Sequence, residues 1–489
     1  MNLLVLIFIP LITALLILLM RNVQMIKLTA LAGSVVQLVL VLWLYFSFTQ
    51  DRALGNTNAL LYEMRYQWFP ALNISFHIGV DGIAVAMMLL TAFVVIAGVL
   101  VSWNVEKQPR DFFFQLILLS MGAYGFFMSL DLFVMFFFLE IAVIPKYLLI
   151  GIWGSGKKEY AANKLALMLM GGSALVLVGL LGIYFANPVH SFDMVDLATA
   201  HIAVDVQKIF FPLLFVGFGV FTALFPFHTW VPDGHSSAPT AGSMFLAGIS
   251  MKLGGYGCLR VAAYLMPEGA MMYADIIIVL SSIAILYGAF ATMMQKDLKY
   301  INAYSSVSHC GFVILGIAML TRTSMTGAVM QMVSHGLMTA LFFAVIGMIY
   351  ERTHTRQVDE MGGLMKVMPF ATTMLFLAGL CSLGLPGLSG FVSEMTIMVG
   401  SWEHPDAFHR IAVIATGMSI VVTAVYILRA IGKTAMGPLK AEFANLTDVR
   451  WNERLAAMIL MAGIIVIGMM PSWLTALITP GIDHMMKKG

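Results

Sequence analysis

The feature that most constrains this chain is a succession of apolar runs, each long enough to cross a membrane as a helix. The runs are roughly 18–25 residues long, and about 20 apolar residues in a helix span a hydrocarbon core of ~30 Å. Strands of a membrane barrel would instead be short alternating segments. We predict about fourteen spans by this length criterion. They lie near residues 3–20, 28–48, 82–103, 112–130, 132–153, 165–186, 208–225, 240–265, 274–294, 300–320, 325–350, 368–385 continuing through 388–402, 411–432 and 455–478.

The composition excludes a set of water-soluble domains. Of the 489 residues, 60% are hydrophobic and only 11% are charged, and the mean hydropathy is +0.92. Soluble domains are about 45–50% apolar. The longest polar interludes, around 49–80 and 187–207, are too short for a separate soluble domain. We therefore expect an all-α polytopic membrane protein in which residues 1–489 form a single membrane domain.

Lysine and arginine are unevenly divided between alternate loops, which predicts the orientation in the membrane. One set of loops holds most of them, including Lys107, Lys157 and Lys296, whereas the other set holds few, such as Arg52 and Arg65. Loops rich in basic residues face the cytoplasm or matrix. Both termini should then lie outside, which agrees with an even number of spans.

The sequence predicts neither a nucleic-acid partner nor a bound cofactor. The net charge of +2 and the scattered basic residues form no basic patch. The cysteines Cys258, Cys310 and Cys381 each lie inside an apolar run, without the paired spacing of a disulfide framework or a zinc site. His228 and His235 have no cysteine nearby, and no nucleotide-binding glycine fingerprint or iron–sulfur ligand run is found. We expect no metal and no cofactor on this chain.

Two of the predicted spans are interrupted. Pro226 and His228 fall where the seventh span should be ending, and Pro386 falls within a Gly/Pro cluster at residues 383–390 in the twelfth. Broken backbone at membrane depth is tolerated only inside protein or beside a wet cavity, and such pairs in two halves point to transporter-type inverted repeats. The first interruption has an alternative explanation as an ordinary loop.

Glu140 and Lys252 are ionisable residues deep inside apolar runs. Each costs on the order of 3 kcal/mol or more if it is charged and unpaired at the membrane centre, so each must be paired, hydrated or neutral. Glycines around Lys252 permit close helix approach. A buried lysine near a carboxylate can bind and release a proton as its neighbours move. The alternative for both residues is a permanent structural ion pair.

Three further residues suit a second half of a proton pathway. His309 and His335 lie in consecutive spans, each directly after a serine, and Glu394 follows the second helix break. Histidines with neighbouring hydroxyls can relay protons, although a lone buried histidine is more often a packed core group. Glu394 could instead be a static helix cap.

The motifs around these residues resemble the antiporter-like proton-channel subunits of respiratory complex I. The length and the segment at 361–364 look most like the M-type members of that family. The resemblance extends over essentially the whole chain. It is carried by residues 225–235 (FPFHTWVPDGH), 238–243 (APTAGS), 252–257 (KLGGYG), 303–312 (AYSSVSHCGF) and 391–395 (FVSEM).

The resemblance implies fourteen helices with two inverted five-helix repeats, spans four to eight at about 112–265 and spans nine to thirteen at about 274–432. It implies a proton pathway through Glu140, Lys252, His309, His335 and Glu394. NADH, FMN, iron–sulfur clusters and quinone would be bound by other subunits. The expected partners are the lipid bilayer and other membrane-arm subunits, including neighbouring antiporter-like subunits, in an energy-transducing membrane such as the bacterial cytoplasmic membrane.

The sequence departs from the family at one position. The family carries a buried lysine on the seventh helix where this chain has Phe221. Lys146 lies six residues after Glu140, about 9 Å further along the same helix. We hypothesise that Lys146 supplies the missing charge. Its alternative is a lysine that extends to the membrane surface.

The leading interpretation is therefore a proton-translocating subunit of a complex I-type NADH:quinone oxidoreductase. A sodium/proton antiporter subunit of the Mrp type, built on the same fold, is a second interpretation. A membrane scaffold that no longer conducts protons is a third, and only the loss of lysine at Phe221 favours it.

Overall fold

The computed structural model describes residues 2–487 as one bundle of helices with a small β-hairpin. The secondary-structure elements are α1 (Val5–Leu19), α2 (Val23–Ala53), β1 (Leu61–Phe69), β2 (Ile74–Val80), α3 (Gly82–Val101), α4 (Pro109–Met128), α5 (Leu132–Trp153), α6 (Lys158–Ala186), α7 (Met194–Ala200), α8 (Val204–Thr222), α9 (Trp230–Ser237), α10 (Thr240–Phe245), α11 (Met251–Gly257), α12 (Pro267–Met293), α13 (Leu298–Ala318), α14 (Arg322–Thr353), α15 (Pro369–Ser382), α16 (Ser389–Trp402), α17 (Ala407–Ala435), α18 (Trp451–Met469) and α19 (Ser472–Met486).

The predicted polytopic helical fold is confirmed. Within residues 2–487, eleven helices are long and apolar enough to cross a membrane. The predicted count of fourteen would also require α1, the interrupted helix from Thr240 to Ala263 and the α15–α16 pair, which are shorter or broken. That count stays a prediction, as do the division into two half-channels and the outward position of both termini.

Both predicted interruptions are present. The helix α8 ends at Thr222, Ala223 adopts a left-handed conformation, and residues 224–229 connect to the short helix α9. The second break separates α15 from α16, and Gly384 and Gly387 within it have positive φ values that favour glycine. In each case a helix ends inside the bundle, so carbonyl groups and side chains become available at depth.

The prediction of one continuous last span at 455–478 is wrong. The helix α18 ends at Met469, and α19 begins at Ser472. Pro471 explains the break because proline lacks a backbone N–H group and disfavours helical conformation in the residue before it. The exposed and buried residues of α19 alternate along its length, which fits a helix lying against the bundle.

The centre of the bundle is formed by α3, α13 and α14, whose most apolar stretches are almost entirely buried. The outer helices α2 and α17 instead expose large apolar side chains to the surroundings. Examples are Val39, Trp43, Ile411 and Val421. This distribution fits a bundle surrounded by lipid or by neighbouring membrane subunits, with its polar groups kept inside.

The hairpin formed by β1 and β2 was not predicted from the sequence. Its strands pair antiparallel, and the backbone of β2 is attached to the helical bundle because Leu130 donates its N–H to the His77 carbonyl at 2.8 Å. The His77 Nδ1 atom lies 2.6 Å from Asp193 Oδ2, and Arg65 also reaches Asp193 at 3.5 Å. These contacts attach the hairpin to the loop before α7.

The attachment of the hairpin should weaken as the pH rises. Burial alone lowers the pKa of His77, but the hydrogen bond and charge of Asp193 outweigh it and hold this pKa above the ordinary 6.5. The stabilisation is therefore complete below pH 6.5 and is lost as the pH passes the folded-state pKa. Hydrogen–deuterium exchange of residues 61–80, corrected for intrinsic rates, should increase over that range. His77→Gln should remove the pH dependence, and an unchanged profile would contradict the attachment.

Candidate functional site

Lys252 lies at the centre of the bundle on an irregular helix. Its helix α11 is flanked by two π-helical segments, Leu246–Ser250 and Cys258–Ala263. Such π-helical turns often mark functional sites because they disturb the regular backbone hydrogen bonds. Lys252 is only 1% exposed, and its Nζ donates to the carbonyl of Ala247 and lies 2.6 Å from Nδ1 of His335. The predicted central lysine therefore contacts the predicted histidine of α14 directly.

Glycines allow α11 to approach its neighbours at this depth. A Cβ atom at Gly254 would lie 2.5 Å from the backbone oxygen of Phe218 and 2.4 Å from the hydroxyl of Thr222, both on α8. Because the Phe218 oxygen belongs to the backbone, the side chains cannot adjust to make room. Close contact between α11 and α8 therefore requires glycine at position 254.

His309, His335 and Glu394 form the second part of the predicted pathway. The rings of His335 and His309 are 5.5 Å apart between centroids. His309 Nδ1 lies 2.8 Å from Glu394 Oε1, and its Nε2 lies 2.9 Å from the Ser382 hydroxyl. Gln331 donates to the same carboxylate at 3.2 Å. The structure thus brings together Lys252, His335, His309 and Glu394 as one buried series of polar groups.

The break near Pro386 adds hydroxyl groups to this series. Ser389 begins α16 and accepts a hydrogen bond from Ser334 at 2.8 Å. Ser393, one turn later, donates to Gln331 at 2.5 Å. Because the break lets α16 begin inside the bundle, Glu394 lies in the second turn of a helix rather than at its middle. The alternative role of Glu394 as a helix cap is not what the contacts show, since Leu388 is the N-cap residue.

Glu140 and Lys146 lie on α5, in the first half of the chain. Lys146 is 1% exposed, so its side chain does not extend to the surface of this chain. Its Nζ lies 5.7 Å from the centre of the Phe221 ring and makes no hydrogen bond with the described residues. Glu140 Oε1 is buried without a partner there as well, and its charge acts on Lys146. Lys146 thus occupies the space beside the residue that replaces the family's lysine.

The first interruption positions two histidines differently. His228 stacks on Phe225 with ring centroids 5.5 Å apart and contacts Tyr287 at 4.9 Å. His235 is completely buried and stacks on Phe343 at 5.0 Å. The positive charge of Lys252 acts on His235. Neither histidine belongs to a cluster of metal ligands within residues 2–487.

Sequence reasoning missed Lys299 and His235, two buried groups that are linked to the site through the charges acting on His235. Lys299 is buried and donates to the carbonyl of Ala238 at 2.7 Å, and its charge also acts on His235. Lys299 lies in the first turn of α13, beside Lys296 and Asp297, which suggested a loop at the membrane surface.

Comparisons with known proteins identify the family of this chain. The family described as NADH:quinone oxidoreductase/Mrp antiporter, transmembrane, matches residues 129–419, a range that includes the predicted pathway residues from Glu140 to Glu394. The chain belongs to this family. It is 33% identical to NADH-quinone oxidoreductase subunit M of Rickettsia prowazekii over 99% of this chain and 98% of that protein. It is 34% identical to NAD(P)H-quinone oxidoreductase chain 4-1 of Synechocystis, covering 94% of this chain and 88% of the relative. The resemblance inferred from the motifs is confirmed.

Solved structures show the same fold. A chain of respiratory complex I from Thermus thermophilus superposes with a TM-score of 0.90 at 24% identity, covering 99% of both chains. A chain of the Mrp complex from Dietzia superposes with a TM-score of 0.86 at 18% identity, covering 99% of this chain and 97% of the other. At these identities the likeness concerns the fold alone, and the family shares it between redox-linked complexes and antiporters.

Three potential metal ligands lie together in the described residues, although none was predicted. His404, Asp406 and His409 each offer a ligand atom within 4.8 Å of the others, between α16 and α17. Asp406 caps α17 by accepting from the His409 backbone at 3.1 Å, and its carboxylate lies 2.7 Å from His409 Nδ1. His404 contacts the carbonyl of Met319 at 2.7 Å. These contacts account for the cluster as the N-terminal cap of α17.

Substitution of Gly254 should disrupt the centre of the site. We expect Gly254→Ala to separate α11 from α8 and to destabilise the bundle by about 1–3 kcal/mol, the usual cost of overpacking. Gly432→Ala is a matched control because Gly432 lies in helix α17 with open space around its Cα atom. The measurement is the amount of chain that resists thermal aggregation in detergent. Equal resistance of the two variants would show that the close approach is not required.

Proposed function

We propose that this chain is a proton-translocating membrane-arm subunit of a complex I-type NADH:quinone oxidoreductase. The observation that carries the proposal is the buried series Lys252, His335, His309 and Glu394, with contacts of 2.6 Å at one end and 2.8 Å at the other. Ionisable side chains inside membrane helices are costly and occur mainly on ion and proton pathways. The two relatives named above are subunits of quinone oxidoreductases, which supports the assignment.

The second half of the pathway moves a proton by short transfers between neighbouring groups. A proton on Lys252 can pass to Nδ1 of His335, 2.6 Å away. The next transfer, to His309, crosses the 5.5 Å between ring centroids and needs a ring rotation or one bridging water. Glu394 then accepts the proton from His309 Nδ1 at 2.8 Å. Ser382 and Gln331 hold the acceptor groups in orientation during these transfers.

The first half of the pathway uses Glu140 and Lys146. Glu140 has a buried oxygen without a hydrogen-bond partner, and Lys146 has a buried ammonium without one. The carboxylate and the ammonium therefore do not form a direct ion pair in this state, and a change in the charge or position of either group would strongly change the electrostatic interaction between them. We propose that Lys146 carries the charge that the family places at Phe221, and that proton transfer in this half alters the field at Lys252.

The chain itself contributes no redox centre to the reaction. NADH, FMN, iron–sulfur clusters and quinone belong to other subunits, and the membrane-arm neighbours include further antiporter-like subunits. The exposed apolar faces of α2 and α17 support contacts with such neighbours or with lipid. The membrane is the bacterial cytoplasmic membrane, with both termini outside, in line with the distribution of basic loops.

The Mrp-type antiporter remains the alternative with a specific observation in its favour, since the fold of a Mrp chain superposes on this one. The higher identity to quinone-oxidoreductase subunits favours the leading proposal. A non-conducting scaffold is disfavoured because it would have no reason to keep Lys252, His309, His335 and Glu394 buried and in contact.

The first experiment measures proton pumping by membrane vesicles that carry the assembled complex. Lys252→Met should abolish most of the pumping per electron transferred because the series loses its first proton carrier. Lys366→Met is the control, since Lys366 is exposed in a loop. Both variants are compared at matched assembly. Normal pumping by Lys252→Met would refute the proposed function, and dependence on sodium without quinone reduction would favour the antiporter.

A charge relocation tests the role of Lys146. Lys146→Met should lower pumping because the first half loses its only buried ammonium on α5. Lys146 Nζ lies 5.7 Å from the Phe221 ring, so the double substitution Lys146→Met with Phe221→Lys returns the charge to nearly the same place. We expect the double variant to recover part of the lost pumping. Equal activity of native protein and Lys146→Met would exclude a role for Lys146.

A further inference from the structure

A second buried polar series leaves Lys252 toward the β-hairpin, and the pathway described above does not use it. Lys252, Tyr256 and Arg260 are spaced four residues apart on α11 and the π-helical segment that follows it. Residues four apart lie on one face of a helix and are ~6 Å apart along its axis. All three side chains are buried. The series therefore runs from the central lysine along α11 and the π-helical segment Cys258–Ala263, toward the hairpin.

Tyr256 stands in the middle of this series. Its hydroxyl donates to the carbonyl of Phe127 at 3.1 Å, and the charge of Arg260 acts on it. A tyrosine hydroxyl is both a donor and an acceptor, so it can give up one proton while it receives another. Tyr256 thus has the chemistry of a relay between Lys252 and the groups beyond Arg260.

Arg260 forms a buried ion pair with Asp81. Its Nη1 atom lies 2.8 Å from Asp81 Oδ2, while its Nε atom has no hydrogen-bond partner in residues 2–487. The other oxygen of Asp81 accepts the N–H of Ala84 at 2.9 Å and caps α3. A buried pair is itself weak evidence for stability, and a guanidinium with an unsatisfied N–H loses more. The pair is therefore not optimised as a purely structural lock.

The ion pair borders a cavity of about 580 Å³ on the hairpin side of the bundle. Asp81 and Arg260 line it together with Glu63, Tyr264 and His484. Glu63 is exposed, which shows that the cavity reaches the surface of the chain. The volume and the polar lining suit ordered water, since one water in the liquid occupies about 30 Å³. Asp81 and Arg260 thus stand between the buried series and a space that can hold water.

We propose that the Asp81–Arg260 pair is the closed gate of a proton outlet that runs from Lys252 past the Tyr256 hydroxyl into this cavity. The inference rests on the proposed function, because it needs Lys252 to carry protons. Arg260 keeps its charge under all conditions, so its guanidinium repels a proton while it stands in the path. When the guanidinium moves away from Asp81, the carboxylate becomes the next acceptor.

The transfer is balanced in protons and needs no oxidant or reductant. The Lys252 ammonium gives one proton to a bridging water, which passes a proton on to Tyr256 while the hydroxyl proton of Tyr256 passes to Asp81. Asp81 then releases that proton to water in the cavity, and Arg260 returns to close the pair. Only N–H and O–H bonds form and break, and Lys252 is left neutral, ready to be protonated again from the first half of the pathway.

The test is passive proton leak in liposomes that contain the assembled complex and no electron donor. The open-gate variant is Arg260→Met, which removes the guanidinium and keeps the Asp81 carboxylate as the proton acceptor and as the cap of α3. After a pH jump, we expect its leak to be several-fold faster than that of the native complex. Adding Tyr256→Phe should return the leak to the native rate. Adding Tyr124→Phe, a substitution of a buried tyrosine on α4, should leave it fast.

A native leak rate in the assembled open-gate variant overturns the gate, and so does a fast leak that survives Tyr256→Phe. If the open-gate variant does not assemble, the single substitution Tyr256→Phe, which removes only one oxygen, still tests the outlet. It should lower pumping per electron, whereas Tyr124→Phe should not, and equal pumping overturns the outlet. Lys252→Met separates the two proposals. If Lys252→Met loses pumping while the Tyr256 and Arg260 variants pump and leak protons at native rates, only the outlet is refuted. Native pumping by Lys252→Met refutes the proposed function.

Discussion

The contact of Lys252 with the Ala247 carbonyl and with His335 is the interaction on which the rest of the site depends. An ammonium in an apolar interior needs acceptors around it, because water is not there to solvate it. The π-helical segment Leu246–Ser250 disturbs the regular hydrogen bonds and lets a carbonyl serve as one acceptor. The imidazole of α14 is the other, 2.6 Å away. The irregular helix and the imidazole together keep the buried ammonium hydrogen-bonded.

The same requirement explains the interruptions and the glycines. A continuous helix in place of α15 and α16 would use its carbonyls internally and would present hydroxyls only at regular intervals. The break lets Ser389 start a new helix inside the bundle, beside Ser334, and Glu394 follows in the second turn. Gly254 has a similar role on the other side, because its missing side chain allows α8 to come against α11. Irregular backbone at depth is thus tolerated where it supports buried polar groups.

The sequence predicted much of this because charge in an apolar run is rare and conspicuous. Glu140, Lys252 and Glu394 stood out for that reason, and long apolar runs defined most helices. The hairpin was missed because its strands lie in the polar interlude at 49–80 and its attachment depends on His77 and Asp193, which are 116 residues apart. Arg260 and Asp81 were missed for a related reason. Asp81 directly precedes the span predicted at 82–103, and Arg260 lies near the end of the span predicted at 240–265, so only the fold shows that they form a pair.

Two routes that meet at one lysine impose a condition on both. If the first half of the pathway were open together with either the series through His309 or the series through Tyr256, a proton could cross the membrane without any coupling to electron transfer. A pump that conserves the energy of electron transfer therefore needs at least one barrier that responds to the charge of Lys252. Along the first series the barrier is the space between the rings of His335 and His309, 5.5 Å between centroids. Along the second it is the positive charge of Arg260, held by Asp81 at 2.8 Å. The charge of Arg260 keeps the gate closed while it pairs with Asp81. An ammonium at Lys252 repels Arg260 along the shared helix and so favours the open state, in which the guanidinium has moved away from Asp81.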